Sequence, residues 1–303
     1  MPDHLRHAIL GAGGVGGLIG ACLAHSGAPV TLVVKRESLA QYPRSLKLES
    51  PFGKFEVEVS CAAEVPPVDV LWLTVKATQL EAALGALTTP AGVGRIVPLL
   101  NGIDHIPLLR LKYGVDTIIA ATIAVESERV APGHIVHRSP FARLNVSTTG
   151  KSLLVETLDQ FQKLGFECRF IDDEPTLMWG KIVFLAPFAL TTTAADKTVG
   201  EFLADPTWRD LGLACIREAC AVAVAEGAKL DADSVIATAT NKIPGSMRSS
   251  MQKDVEQGRT PEIEAIAGPI LRGAQRHGIE VRATKKLVSA VEQRAGLVVS
   301  LLN

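Results

Sequence analysis

The chain has 303 residues, too many for one ordinary compact core and suited to two domains of common size. Hydrophobic residues make up 47% and charged residues 21%, the balance of a folded globular protein, and no repetitive or low-complexity tract interrupts it. Lysine and arginine number 31 against 32 acidic residues, so the basic excess that would neutralise a nucleic-acid backbone is missing and no nucleic-acid partner is expected.

In chain order, the first β-rich run covers residues 7–10, and Gly11-Ala12-Gly13-Gly14-Val15-Gly16 follows it directly. This is G-x-G-x-x-G between a strand and a helix, the setting in which the pattern binds a dinucleotide. Gly11 permits the tight turn, Gly13 lets the backbone approach a pyrophosphate, and Gly16 brings helix and strand together. The helix N-terminus offers amide donors to phosphate. A second strand at 30–34 ends in Lys35-Arg36, where an NAD-preferring site would carry an acid about 20 residues after the glycines. A carboxylate there would repel a 2'-phosphate, whereas Lys35 and Arg36 can hold it by charge-assisted bonds, so NADP is the expected cofactor.

Runs at 46–50 and 54–59 flank Pro51-Phe52-Gly53 and read as a hairpin inserted into the α/β order. Strands at 68–75 and 95–99 follow, and helical stretches are expected after each of the first four α/β strands. Lys76 and Asn101 stand at the carboxyl ends of the last two, where open α/β sheets bind ligands. By spacing alone a solvated lysine and an Asn-Gly turn explain them equally well. Two or three strands between 117 and 146 are expected to finish the sheet, and 153–164 has helical spacing.

Beyond Asp172 the pattern turns helical. Asp205-Pro206 opens one helix that Gly227 stops, and Thr260-Pro261 opens another that Gly278 stops, with Pro269 expected to kink it. The expected fold class is α/β, with a Rossmann dinucleotide-binding domain at 1–172 and a mainly α-helical domain at 173–303.

The five cysteines (Cys22, Cys61, Cys168, Cys215, Cys220) are scattered without a C-x-x-C pair, which fits a reducing cytoplasm. No histidines stand at metal-ligand spacing, and no metal is expected. Residues 8–24 carry no charge after Arg6, but six glycines interrupt them and make a poor membrane-inserting helix. No other run is read as reaching the roughly 20 residues that span a bilayer, so no membrane is expected.

The glycine pattern, Val30-Thr31-Leu32-Val33-Val34-Lys35, Thr74-Val75-Lys76, Asn101-Gly102, Trp179-Gly180-Lys181, Ser249-Ser250-Met251 and Pro261-Glu262-Ile263 occur in the order found in ketopantoate reductases. The chain resembles that family over nearly its whole length. The resemblance implies a Rossmann domain joined to a helical domain, with NADPH and a small-molecule 2-oxo acid meeting in the cleft between them. It implies Lys181 as catalytic lysine, Glu262 as substrate-orienting acid, Ser250 as carboxylate-binding serine, and Lys76 and Asn101 as cofactor-side contacts, while from their strand ends Lys76 and Asn101 could also reach the substrate. Taken singly, Lys181 reads as a surface charge and Glu262 as an acid favouring a helix dipole.

The chain departs from the family at three asparagine positions, which hold Leu185, Ala189 and Val199. A pocket lined by Leu185 and Ala189 lacks amides for a substrate hydroxyl, so a 2-oxo acid other than ketopantoate, or a related ketone, is expected. Ketopantoate reductase proper, the pantothenate-biosynthesis activity, is the alternative, with Thr191, Thr192 or another polar group replacing the amides. A non-catalytic NADP-binding sensor is a third reading, of another class. Helical second domains often pair, and a homodimer is compatible with the sequence.

Overall fold

The computed structural model describes residues 5–241, 243–297 and 301. Its contacts form two units: one runs to Leu100 and resumes over His105–Asp172, and the other comprises Asn101–Asp104 and the chain from Asp173 onward.

The first unit begins with β1 (His7–Leu10), α1 (Gly14–His25) and β2 (Val30–Val33). Next come β3 (Ser45–Ser50), β4 (Gly53–Glu58), β5 (Ser60–Ala62), β6 (Val68–Leu73), α2 (Leu80–Leu84), β7 (Val93–Pro98) and α3 (His105–Tyr113). It closes with β8 (Ala121–Ala124), β9 (Ser127–Ala131), β10 (His134–His137), β11 (Arg143–Ser147), α4 (Lys151–Lys163) and β12 (Glu167–Ile171).

Strands β5, β2, β1, β6 and β7 lie in that order in one parallel sheet. All four residues of β1 are buried, as a central parallel strand covered on both faces requires. Leu10 pairs with Val33 on one side and Leu73 on the other. The three strands therefore end level, and the turns at Gly11, Val34 and Thr74 open at the same carboxyl edge.

Two expectations fail here. No α-helix follows β2, only the 3-10 turn Arg36–Ser38, because the β3–β4 hairpin takes up the crossover. The strands between 117 and 146 do not finish the parallel sheet either. They join two other sheets, ordered β4-β3-β10-β9 and β12-β11-β8, and an isolated bridge from Ile118 to Ile96 ties the segment to β7. The β9–β10 sheet packs on α1, where a Cβ on Gly17 would enter the Ile135 side chain. A Cβ on Gly20 would lie 3.3 Å from Ile9 and Leu32. With sheets on both sides, α1 has no solvated face over most of its length, which accounts for the uncharged run at 8–24.

The second unit holds α5 (Glu174–Ala195), α6 (Val199–Ala204), α7 (Pro206–Ala225), α8 (Ala232–Asn241), α9 (Ser250–Glu256), α10 (Ile263–His277) and α11 (Arg282–Arg294). Asp205 caps α7 by accepting from the Thr207 amide at 3.1 Å. Helix α10 runs through Pro269 to Gly278, whose φ is 65°, but it begins at Ile263 rather than at Pro261. Glu262 thus becomes the N-cap residue, and its side chain makes no cap bond.

By length and composition α5 could cross a membrane, contrary to the expectation that no run beyond residues 8–24 approached that length. It packs with α7, α9 and α11, and 67% of its most apolar stretch is buried in protein. Core formation accounts for its apolarity.

Candidate active site

The first unit supplies the glycine turn. Gly11 has φ 110°, which an L side chain rarely adopts, and its Cβ would lie 2.7 Å from the Val75 amide nitrogen. The Thr74 hydroxyl donates to the Gly11 carbonyl at 2.8 Å and holds the turn. A Cβ on Gly16 would strike the Gly11 carbonyl and Thr74 Oγ1, so this glycine lets helix and strand close up. Gly14 answers a different demand, since its Cβ would run into the Ser127 carbonyl on β9. Gly13 alone of the four motif positions Gly11, Gly13, Gly14 and Gly16 faces open space, with nothing within 4 Å of an added Cβ.

No side chain caps the start of α1. Ala12 is buried and Val15 part-buried beside the turn. The open space at Gly13 and the uncapped helix start fit a dinucleotide pyrophosphate. Substituting Gly14 by alanine is expected to destabilise the fold by about 1–3 kcal/mol through backbone overpacking, read by urea unfolding. Gly13→Ala should keep native stability yet weaken dinucleotide binding on the order of tenfold, because it fills the space the phosphates need.

Lys35 precedes the 3-10 turn, is exposed, and stands two residues beyond Val33, where the parallel pairing ends. Arg36 is exposed too, but its Nη2 lies 2.5 Å from Glu64 Oε1. Glu64 also accepts from Thr88 Oγ1 at 3.1 Å. Motif spacing does not reveal this acid, because it enters from beyond β5, far from Arg36 along the chain. Lys76 caps the 3-10 turn Ala77–Gln79 through its backbone and is part-buried.

Asn101 belongs to the second unit. Its Nδ2 donates to Glu262 Oε2 at 3.0 Å. Gly102, at φ 87°, is pressed against α10, where a Cβ would come 2.5 Å from the Ala265 carbonyl. Arg272 bonds Asp104 at 2.5 Å and also bonds Glu264, tying the Asn101–Asp104 segment down. Glu262 itself is only 7% exposed. Burial lowers the Lys181 ammonium to about 8, and the Glu262 charge opposes that shift. The residue as a whole is part-buried, but its ammonium end is enclosed. A buried acid held by an amide, with an ammonium tuned towards neutrality in its field, is an arrangement that can orient a polar substrate and transfer a proton.

Residues 7–150 match the family model described as ketopantoate reductase PanE/ApbA, and residues 175–295 match that of the ketopantoate reductase PanE/ApbA C terminal. The chain belongs to the ketopantoate reductase family. It is an oxidoreductase of that family. It is 28% identical over 298 residues to a 2-dehydropantoate 2-reductase of Caulobacter vibrioides, covering 95% of this chain and 98% of the relative. An uncharacterized oxidoreductase of Bacillus subtilis, YkpB, is 28% identical over 284 residues, covering 90% and 93%. Among solved structures, 2-dehydropantoate 2-reductase from Geobacter metallireducens GS-15 superposes with TM-score 0.83 at 28% identity, covering 95% and 99%. D-mandelate dehydrogenase with NADH and anilino(oxo)acetate superposes with TM-score 0.84 at 22% identity, covering 96% and 99%, a likeness of fold.

Against that family, the positions expected to line the substrate pocket differ in setting. Lys181, Leu185 and Ala189 follow one another at steps of four along α5 and share a face. Leu185 is part-buried against the helical core, while Ala189 is 1% exposed within it. Thr192 does not offer a spare hydroxyl, since Oγ1 lies 2.8 Å from both the Phe188 carbonyl and Ser249 Oγ. Thr191 Oγ1 is buried without a hydrogen-bond partner, beside an apolar crevice lined by Phe184, Phe188, Val199 and Phe202. Ser250 is exposed in the first turn of α9, while its neighbour Ser249 is buried and caps the helix by accepting from the Gln252 amide at 3.1 Å. The two adjacent serines thus differ in setting.

Proposed function

We propose that this chain is an NADPH-dependent reductase that converts a 2-oxo acid to the 2-hydroxy acid. The observation that carries the reading is the buried Glu262 carboxylate, held by Asn101 and acting on an ammonium at Lys181 shifted to about 8. Reduced nicotinamide, when bound, supplies the hydride. The backbone of Gly11, Gly13 and the first turn of α1 holds its pyrophosphate, and Lys35 and Arg36 hold the 2'-phosphate. As negative charge builds on the ketone oxygen, Lys181 stabilises it and gives up a proton. Glu262 acts on the Lys181 ammonium and accepts a hydrogen bond from the hydroxyl that forms on reduction, which keeps that end oriented, while Ser250 donates to the substrate carboxylate.

The deciding experiment follows NADPH oxidation by purified protein against a panel of 2-oxo acids that includes ketopantoate. Turnover of at least one of them is expected. Dinucleotide binding with no turnover across the panel would favour a sensor instead. Ketopantoate itself is the second reading, supported by Lys181, Glu262 and Ser250 standing where the family pattern has them, and opposed by Leu185 and Ala189.

NADPH is expected to bind about tenfold more tightly than NADH, read by fluorescence titration. The margin is held down because Arg36 must exchange Glu64 for the phosphate, an exposed pair of low worth. Glu64→Gln should therefore widen the preference. Equal affinities in the wild type would remove Lys35 and Arg36 from the cofactor site.

A further inference from the structure

We propose that Arg129 is a further cofactor-binding residue, its guanidinium taking the pyrophosphate of the dinucleotide beside the glycine turn. The inference rests on the reading of the glycine turn as a dinucleotide site. Two residues of β9, Ser127 and Arg129, reach that turn. Ser127 Oγ donates to the Gly14 carbonyl at 2.9 Å, and two residues on, Arg129 Nη1 donates to the Ala12 carbonyl at 3.3 Å. Gly14 has no room for a Cβ because the β9 backbone lies against it, so the strand is seated on the phosphate turn.

Arg129 differs from the other arginines that stand near acids. Arg138, just past the end of β10, bonds Glu128, whereas Arg129 makes no salt bridge among the described residues. One of its donors is spent on Ala12, and a guanidinium has five, in a planar fork that suits phosphate oxygens. The adjacent Gly13 faces open space. A cation anchored by one bond beside a backbone hollow that offers amide donors is a phosphate-binding arrangement.

Nothing in the glycine motif points to it, because Arg129 arrives from a sheet that is not the dinucleotide sheet. Its expected signature differs from that of Lys35 and Arg36. They read the 2'-phosphate, and Arg129 reads the phosphates that NADPH, NADH and ADP share.

The test compares wild type with Arg129→Ala and Arg129→Lys by equilibrium titration with NADPH and NADH, and by displacement of NADPH with ADP and with adenosine 2'-monophosphate. Arg129→Ala should weaken NADPH, NADH and ADP alike by about tenfold and leave adenosine 2'-monophosphate within twofold. Arg129→Lys should recover part of the loss, and raised salt should cost wild type more affinity than the alanine variant. Arg129→Gln, which can still donate to Ala12, separates charge from mere bracing of the turn and should bind as poorly as alanine. Unchanged NADPH and NADH affinities in Arg129→Ala, full affinity in Arg129→Gln, or a loss confined to NADPH would each overturn the proposal. Failure of wild type to bind any dinucleotide would overturn the functional reading along with it.

Discussion

Replacing Lys181 by alanine is expected to lower turnover about a hundred- to ten-thousandfold while leaving NADPH affinity nearly intact, because a general acid acts in the transition state and not in cofactor binding. Circular dichroism and thermal unfolding of the variant show whether the fold survives. A variant that keeps most of its turnover would end the assignment. The same residue is expected to set a pH dependence. Burial holds the Lys181 ammonium down to about 8, against the opposing charge of Glu262. Reduction needs the protonated form, so the rate should be level below that value and fall as pH rises through about 8. Oxidation of the hydroxy acid needs the neutral amine and should rise over the same interval. Glu262→Gln removes the charge that favours the ammonium, so the limb should move to lower pH. A limb that stays in place in that variant would show that Glu262 does not act on Lys181.

Selectivity against ketopantoate is the second large effect. If Leu185 and Ala189 face the bound substrate, its hydroxyl is buried without an amide partner, at a cost of about 1–3 kcal/mol. That corresponds to roughly a five- to more than hundredfold loss of relative efficiency. A 2-oxo acid lacking the hydroxyl should therefore have the higher kcat/KM in side-by-side assays. Thr192 is not expected to rescue the hydroxyl, since its own is committed to Phe188 and Ser249. Leu185→Asn is the better switch towards ketopantoate, because Leu185 is part-buried while Ala189 lies 1% exposed in the helical core. An amide at Ala189 should mainly destabilise, by about 1–3 kcal/mol if it finds no partner. A strong wild-type preference for ketopantoate would favour the second reading of function.

Local chemistry makes part of this architecture legible in the linear sequence. The strand–glycine–helix entry, the basic pair Lys35-Arg36, the caps at Asp205 and Gly278 and the helical second half all depend on neighbours within a few residues, so the linear order contains them. The hairpin about Pro51-Phe52-Gly53 is legible for the same reason. Its sheet is not, because strand periodicity tells which face is apolar and not which strand pairs alongside. The same limit assigns the strands after residue 117 to the wrong sheet.

Contacts over long separations were decided by tertiary structure alone. Glu64 reaches Arg36 across 28 residues, Asn101 reaches Glu262 across 161, and Arg129 reaches Ala12 across 117. Residue type and order determined that this chain holds a glycine turn fit for a dinucleotide and a lysine and an acid of the ketopantoate reductase pattern. Only the fold decided that Gly14 is needed for β9 and Gly13 for open space, that Glu262 leaves its helix uncapped to meet Asn101, and that burial brings Lys181 to about 8. Each of those depends on desolvation or close approach, which arise only when distant segments pack together.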